Sequence, residues 1–256
     1  MASGHLHGAH ELLVERDSPV HRAASHVKLV ALMIFVSAVA VVPRRSVWTF
    51  ALDLALLAAV AVAARVPGTL IARRALVVVP FLAVAVVTPF IGDGSRTDLG
   101  PFEVSTDGLW AGWNIAAKAV LGATASILLT ATTPVPEILT GLSRLRMPRP
   151  VVAIIAFMIR YLDLIAGQHS RMRLAMTARG HDPRWLWQAR PIAAAAGTQF
   201  VRTYERGERI HLAMLARGFT GRLPEPDPRP VPPRQWLVAL LPPAVAVTAT
   251  VTALVR

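Results

Sequence analysis

Val47-Trp48-Thr49-Phe50-Ala51-Leu52-Asp53-Leu54-Ala55-Leu56-Leu57-Ala58-Ala59-Val60-Ala61-Val62-Ala63-Ala64 is apolar around its whole circumference as a helix. A helix lying on a soluble core keeps a polar stripe toward water, and this run offers one charge, Asp53. It fits a helix immersed in lipid, and Trp48 at its start suits the membrane–water interface. Comparable runs occupy 29–42, 75–91, about 110–132 and 236–255. The first is short for a span of about 20 residues, but helix starting near Ala23 and a snorkelling Lys28 would extend it. Pro80 and Pro89 are expected to kink the third, which neighbouring helices can tolerate. The expected fold is an all-α polytopic membrane protein with about five transmembrane helices.

The chain has 256 residues, 54% of them hydrophobic, and a formal charge of +12. In a soluble protein that charge would suggest nucleic acid. In a membrane protein, Lys and Arg gather in cytoplasmic loops and set orientation. The segment 134–235 carries sixteen Arg against seven acids, so it is expected in the cytoplasm. Four spans precede it, which puts the N-terminus and the Arg65–Arg74 loop inside and the acidic 92–108 loop outside. Pro43-Arg44-Arg45 then falls outside, against the rule. The expected organisation is a cytoplasmic segment at 1–27, four spans within 28–133, cytoplasmic coupling helices within 134–235, and a final span at 236–256 in a cell membrane. The polar first 27 residues predict no cleavable signal peptide. Without Cys there is no disulfide or thiolate site. No aromatic-studded polar surface accompanies the basic residues, so no nucleic-acid partner is expected.

Within 134–235 the chain repeats itself. Arg171-Met172-Arg173-Leu174-Ala175-Met176-Thr177-Ala178-Arg179-Gly180-His181 returns thirty-eight positions later as Arg209-Ile210-His211-Leu212-Ala213-Met214-Leu215-Ala216-Arg217-Gly218-Phe219, with seven of eleven positions identical. The reading here is helical: a short helix at 136–145, a long one at 150–179, and another at about 192–217 that Gly197 or Gly207 would break. Gly180 and Gly218 suit the left-handed position just past a helix end. Arg179 and Arg217 then sit in the last turn, where a guanidinium can reach past the helix to a carboxylate or to carbonyls. Ala178 and Ala216 keep the flank thin. One Arg-Gly would simply end a solvated helix; two in matching contexts point to paired docking tips. Trp185-Leu186-Trp187 looks interfacial, and 224–233 reads as an extended Pro-rich linker.

The twin Ala-Arg-Gly motifs on cytoplasmic helices resemble the transmembrane (T) component of energy-coupling factor transporters. The stretch from Tyr204-Glu205-Arg206-Gly207-Glu208-Arg209 through Phe219 is similar to the cobalt branch, CbiQ. So are 21–28, Thr132-Thr133-Pro134 with Glu137-Ile138-Leu139, and Arg160-Tyr161. The resemblance implies a coupling subunit of an ATP-driven importer, with cobalt ion as the first cargo and nickel or a vitamin as alternatives. It implies two cassette-type ATPase subunits, a substrate-capture membrane protein, and docking through Ala178, Arg179, Gly180, Ala216, Arg217 and Gly218. ATP and Mg would sit on the ATPases: this chain has no G-x-x-x-x-G-K-[ST] loop and no cofactor of its own.

Other candidates are weaker. No H-E-x-x-H, G-x-S-x-G or Cys-His pair supports catalysis, so a non-enzymatic subunit is expected. His5, His7 and His10 read as a mobile tail rather than a metal site. His21 and His26 read as interfacial packing residues. Asp53 and Lys118 lie inside apolar runs and are candidates for an ion pair, for outward snorkelling of Lys118, or for a proton relay in a stand-alone secondary transporter. Met172, Met176 and Met214 offer adaptable packing near the motifs.

Overall fold

A computed structural model describes residues 18–91, 96–99, 102–181, 189–221 and 231–255. His5, His7, His10, Trp185-Leu186-Trp187 and most of the Pro-rich stretch lie outside these residues. The chain forms two compact units, one within 9–144 and 227–256 and the other within 145–226.

The first unit is a helical body. Its helices are α1 (Ser25–Val41), α2 (Val47–Ala63), α3 (Gly68–Arg74), α4 (Val79–Ile91), α5 (Thr106–Thr132), α6 (Val135–Arg144) and α9 (Pro233–Val255). Four helical stretches of the chain are long and apolar enough to cross a membrane: Gly68–Ile91, Thr106–Thr132, Arg149–Ala178 and Pro233–Val255. Ser25–Val41 and Val47–Ala63 are shorter apolar helices. The fold is that of an all-α polytopic membrane protein, with one small addition. The 92–108 loop contains an antiparallel hairpin, Arg96–Leu99 paired with Phe102–Ser105.

Helices α1, α5, α2 and α9 form a cycle in that order, with α1 on α5, α5 on α2, α2 on α9 and α9 on α1. Phe35, Val39, Phe50, Leu57, Leu121 and Ala246 meet inside it. The helix hydroxyls bond back along their own helices: Thr124 Oγ1 donates to Val120 O at 2.7 Å and Thr250 Oγ1 to Ala246 O at 2.8 Å. That satisfies the polar groups of spans that have no water to turn to. Ser105 caps α5 by accepting from Gly108 N at 3.2 Å.

The third span starts earlier than its hydrophobic run. Arg73 and Arg74 are not in a loop but in the last turn of α3. A 3₁₀ turn, Ala75–Val78, follows, and Pro80 is the second residue of the helix after it. Proline lacks an N–H and crowds the preceding turn, so the α ladder is interrupted there rather than bent. Pro89 stays inside α4. It leaves the Ala85 carbonyl without its usual donor, and Gly112 of α5 lies so close to that oxygen that a β-carbon would overlap it. Gly108 is similarly tight, with a β-carbon falling 2.8 Å from Pro89 Cα. These two glycines let α4 and α5 pack backbone to backbone.

Lys28 does not snorkel. It is 9% exposed, and its Nζ donates to Thr132 O at 2.9 Å, Thr133 Oγ1 at 3.1 Å and His21 O at 3.2 Å. Asp53 and Lys118 do not pair. Lys118 Nζ donates instead to Ala40 O at 2.7 Å, in the last turn of α1 where carbonyls lack intrahelical donors. Asp53 is 0% exposed, and neither carboxyl oxygen has a hydrogen-bond partner among the described residues. His26 packs edge-on against Trp236, ring centroids 5.6 Å apart. Arg45, on the short link between α1 and α2, lies 3.7 Å from Asp107 at the start of α5.

Candidate functional site

The second unit consists of α7 (Arg149–Ala178) and α8 (Ala189–Ala216). α8 is continuous. Gly197 and Gly207 do not break it, because no neighbour crowds either position and the helix needs no special dihedral there. Pro150 sits in the first turn of α7, where its missing N–H costs nothing. The two helices run antiparallel and meet where Gln199 Nε2 donates to Gln168 Oε1 at 2.8 Å.

Both helices end in the same hydrogen-bond pattern. Gly180 has φ of 77° and Gly218 of 80°, the left-handed region that only glycine occupies freely. Gly180 N donates to Thr177 O at 2.9 Å and His181 N to Met176 O at 3.0 Å. Gly218 N donates to Leu215 O at 3.0 Å and Phe219 N to Met214 O at 3.0 Å. Each pair is a complete Schellman cap, which uses the last free carbonyls and stops the helix after Ala-Arg. The burial pattern repeats too. Positions 172 and 210, 176 and 214, and 181 and 219 are half-buried, while Ala178, Arg179, Gly180, Ala216, Arg217 and Gly218 are exposed. The sequence repeat is thus a repeat of local structure.

From the Gln168–Gln199 contact, Arg179 is eleven residues along α7 and Arg217 eighteen along α8. At a helical rise of about 1.5 Å per residue, the arginines stand about 17 Å and about 27 Å from it, on opposite sides. A groove lies on each side of the contact. The one beside Arg179 measures about 730 Å³ and is lined by Arg171, Arg179 and Arg202 over a floor that includes Ala175, Ala194 and Ala195. The one toward Met214 measures about 340 Å³ and is lined by Phe157, Tyr161, Ile165, Ile210 and Arg206, with the Phe157 and Tyr161 rings stacked. The sequence gives no sign of these grooves or of the glutamine contact, because each needs two helices brought together.

Among the described residues, no group of three or more His, Asp or Glu is placed to bind a metal. What the second unit offers is a pair of rigid, outward-facing cationic tips. The Lys28 clamp joins two of the motif-bearing stretches, 21–28 and Thr132-Thr133, and α6 packs on the start of α1 through Gly141.

A family profile described as CbiQ, cobalt transport protein, matches residues 16–228. The cobalt transport protein CbiQ of Rhodobacter capsulatus is 30% identical over 103 residues, 40% of this chain and 42% of that protein. The energy-coupling factor transporter transmembrane protein EcfT of Bacillus selenitireducens is 26% identical over 234 residues, 81% of this chain and 82% of that protein. EcfT of Listeria innocua is 25% identical over 222 residues, 80% of this chain and 82% of that protein. The Rhodobacter protein and two archaeal relatives are matched over less than half of their own length. With the profile spanning most of the chain and the capped repeat inside it, the chain belongs to the CbiQ cobalt transport family, the cobalt branch of the T components of energy-coupling factor transporters.

Proposed function

We propose that this chain is the non-catalytic coupling subunit of an ATP-driven importer, with cobalt ion as the cargo of the complex. Two cassette-type ATPases dock on its tips, one on Ala178-Arg179-Gly180 and the other on Ala216-Arg217-Gly218. ATP and Mg act on those partners. Nucleotide-driven movement of the two ATPases shifts α7 and α8, and these reorient a separate substrate-capture membrane protein so that the ion is released inward. Work is transmitted only if the helices fit the ATPase states unequally. The density of arginine in the segment supports a cytoplasmic side for the tips.

The observation that carries this reading is the pair of identical Schellman caps, each presenting an exposed arginine on a thin alanine flank. Identical rigid ends suit two related sockets. Affinity purification from detergent should recover two ATPases and a small membrane protein. Arg179→Ala and Arg217→Ala should each weaken ATPase association, by about 2–5 kcal/mol for a desolvated charge-assisted contact, and the double change should abolish uptake. Unchanged recovery and uptake in the double variant would refute the reading. Nickel or a vitamin in place of cobalt leaves the coupling role intact, and transport assays on each cargo separate them.

The rival reading, a stand-alone secondary transporter, draws on the enclosed, unpartnered carboxyl of Asp53. Its relay partner would be Lys118, which bonds Ala40 O instead. Ionophore-sensitive uptake that needs no ATP would favour it.

A further inference from the structure

Beside the Lys28 clamp the helical body holds a cavity of about 440 Å³ between α1, α2, α5 and α9. Its wall is hydrocarbon, with Leu32, Phe35, Leu56, Leu57, Leu128 and Pro243 among the lining side chains. Lys28, Thr132 and Gln235 also reach it, but their donors go to the protein. Those of Lys28 are described above, Thr132 Oγ1 donates to Leu128 O at 2.8 Å, and Gln235 Nε2 donates to Arg22 O at 3.1 Å. Lys28 to Phe35 and Gln235 to Pro243 each span about two helical turns, so the cavity runs about 11 Å along the body. Pro19, Val20 and Ala23 cover the end where α1 and α9 start and α5 stops. Lys28 Nζ on His21 O and Gln235 Nε2 on Arg22 O pin that cover. The side between α2 and α9 is open, and the lining residues Ala59, Ala63, Val238 and Leu241 are exposed there. In a membrane-spanning body such an opening faces the bilayer, so its occupant enters from lipid rather than from water.

Cations border the covered end. The stretches that reach it, 18–28, 61–74 and 231–241, contain Arg22, Lys28, Arg65, Arg73, Arg74 and Arg234 and no Asp or Glu. Arg65, two residues past Ala63, is held there against its backbone preference, with φ of 55°. Arg65 N donates to Val62 O at 2.9 Å and Val66 N to Ala61 O at 3.0 Å, the same cap that closes the two tips. Glycine fills that position in both tips, and an arginine kept in the left-handed region points to a use for its side chain.

We propose that this cavity holds one acyl chain of an anionic phospholipid, with the phosphate against Arg65 and Arg234 at the rim. A chain in the cavity makes the dispersion contacts that a void forfeits. A basic, acid-free rim favours an anionic headgroup over a zwitterionic one. The small side chains of Ala59 and Ala63 leave the α2 side of the opening clear.

The test uses the full chain in phosphatidylcholine nanodiscs that contain a phosphatidylglycerol with a diazirine on one acyl chain. After irradiation, peptide mass spectrometry should find 56–63 and 238–243 labelled above the exposed face of α4. Unlabelled phosphatidylglycerol should compete for those sites at least about fivefold better than added phosphatidylcholine. Ala59→Leu with Ala63→Leu fills the opening, and should remove these labels while α4 labelling stays. Should that pair fail to fold, the exposed arginines carry the test: Arg65→Gln and Arg234→Gln should each lower the phosphatidylglycerol advantage about fivefold, and Arg65→Lys should keep it. Arg65→Gly separates a lipid role from a structural one. It relieves the backbone, so the melt in detergent should hold or rise while the lipid preference falls. Even labelling of all the apolar helices would mean bulk lipid only and overturn the proposal. So would equal competition by the two lipids, or full preference retained in Arg65→Gly and Arg234→Gln.

Discussion

Lys28 Nζ sits 2.9 Å from the carbonyl oxygen of Thr132, across 104 residues of sequence. The contact ties the start of α1 to the end of α5, where α5's last carbonyls have no intrahelical donor. A cation there also meets the negative end of the helix dipole. Lys28→Met should lower stability by about 1–3 kcal/mol, because it leaves buried acceptors unsatisfied. A thermal melt in detergent checks this. A melt unchanged from the parent protein would mean that water replaces the ammonium.

Two glycines on α5 should respond to substitution with opposite sign. Gly112→Val forces a β-carbon into the Ala85 carbonyl, a backbone atom that cannot swing aside. Overpacking of this kind costs about 1–3 kcal/mol. Gly122, one helix position with open space around it, should accept alanine and gain up to about 1 kcal/mol. Parallel melts of the two variants decide between this packing account and general intolerance of α5 to change.

Gly180→Ala and Gly218→Ala meet no neighbour among the described residues, so their expected cost is conformational. Holding an L-residue in the left-handed region costs about 1–2 kcal/mol. The expected result is fraying of the tip: faster amide exchange at His181 or Phe219, weaker ATPase recovery, and an unchanged melt of the helical body. Gly197→Ala and Gly207→Ala, which lie inside α8 with open surroundings, should instead slow exchange along that helix.

Asp53 is enclosed, with both oxygens unpartnered among the described residues. A buried charge without a partner is costly, and a neutral amide of the same shape removes it. Asp53→Asn should therefore melt no lower than the parent and keep ATP-driven uptake. A lower melt would show that the carboxylate gains a partner in the membrane, and lost uptake with a normal melt would revive the relay reading.

Exposed charges predict little by contrast. Arg45 and Asp107 are 73% and 50% exposed at 3.7 Å, and Asp107→Asn should shift stability by less than about 1 kcal/mol.

Hydrophobic runs, proline positions and the Ala-Arg-Gly repeat were enough to read the membrane class, most helix ends and both glycine caps. These features are local: a run apolar on every side has no aqueous solution, and a helix ends where its own backbone turns left-handed. Contacts between distant segments were beyond that reading. Lys28 at the edge of an apolar run reads as a snorkelling residue, and only the arrival of Thr132 turns it inward. Asp53 and Lys118 invite pairing by chemistry, yet helix rotation sends Lys118 to Ala40. The unequal grooves on the two sides of the Gln168–Gln199 contact exist because α7 and α8 meet there, which leaves three arginines lining one side and aromatic groups the other. Composition and spacing determine what each helix is; which side chains share a space depends on packing angles that no single stretch of chain encodes.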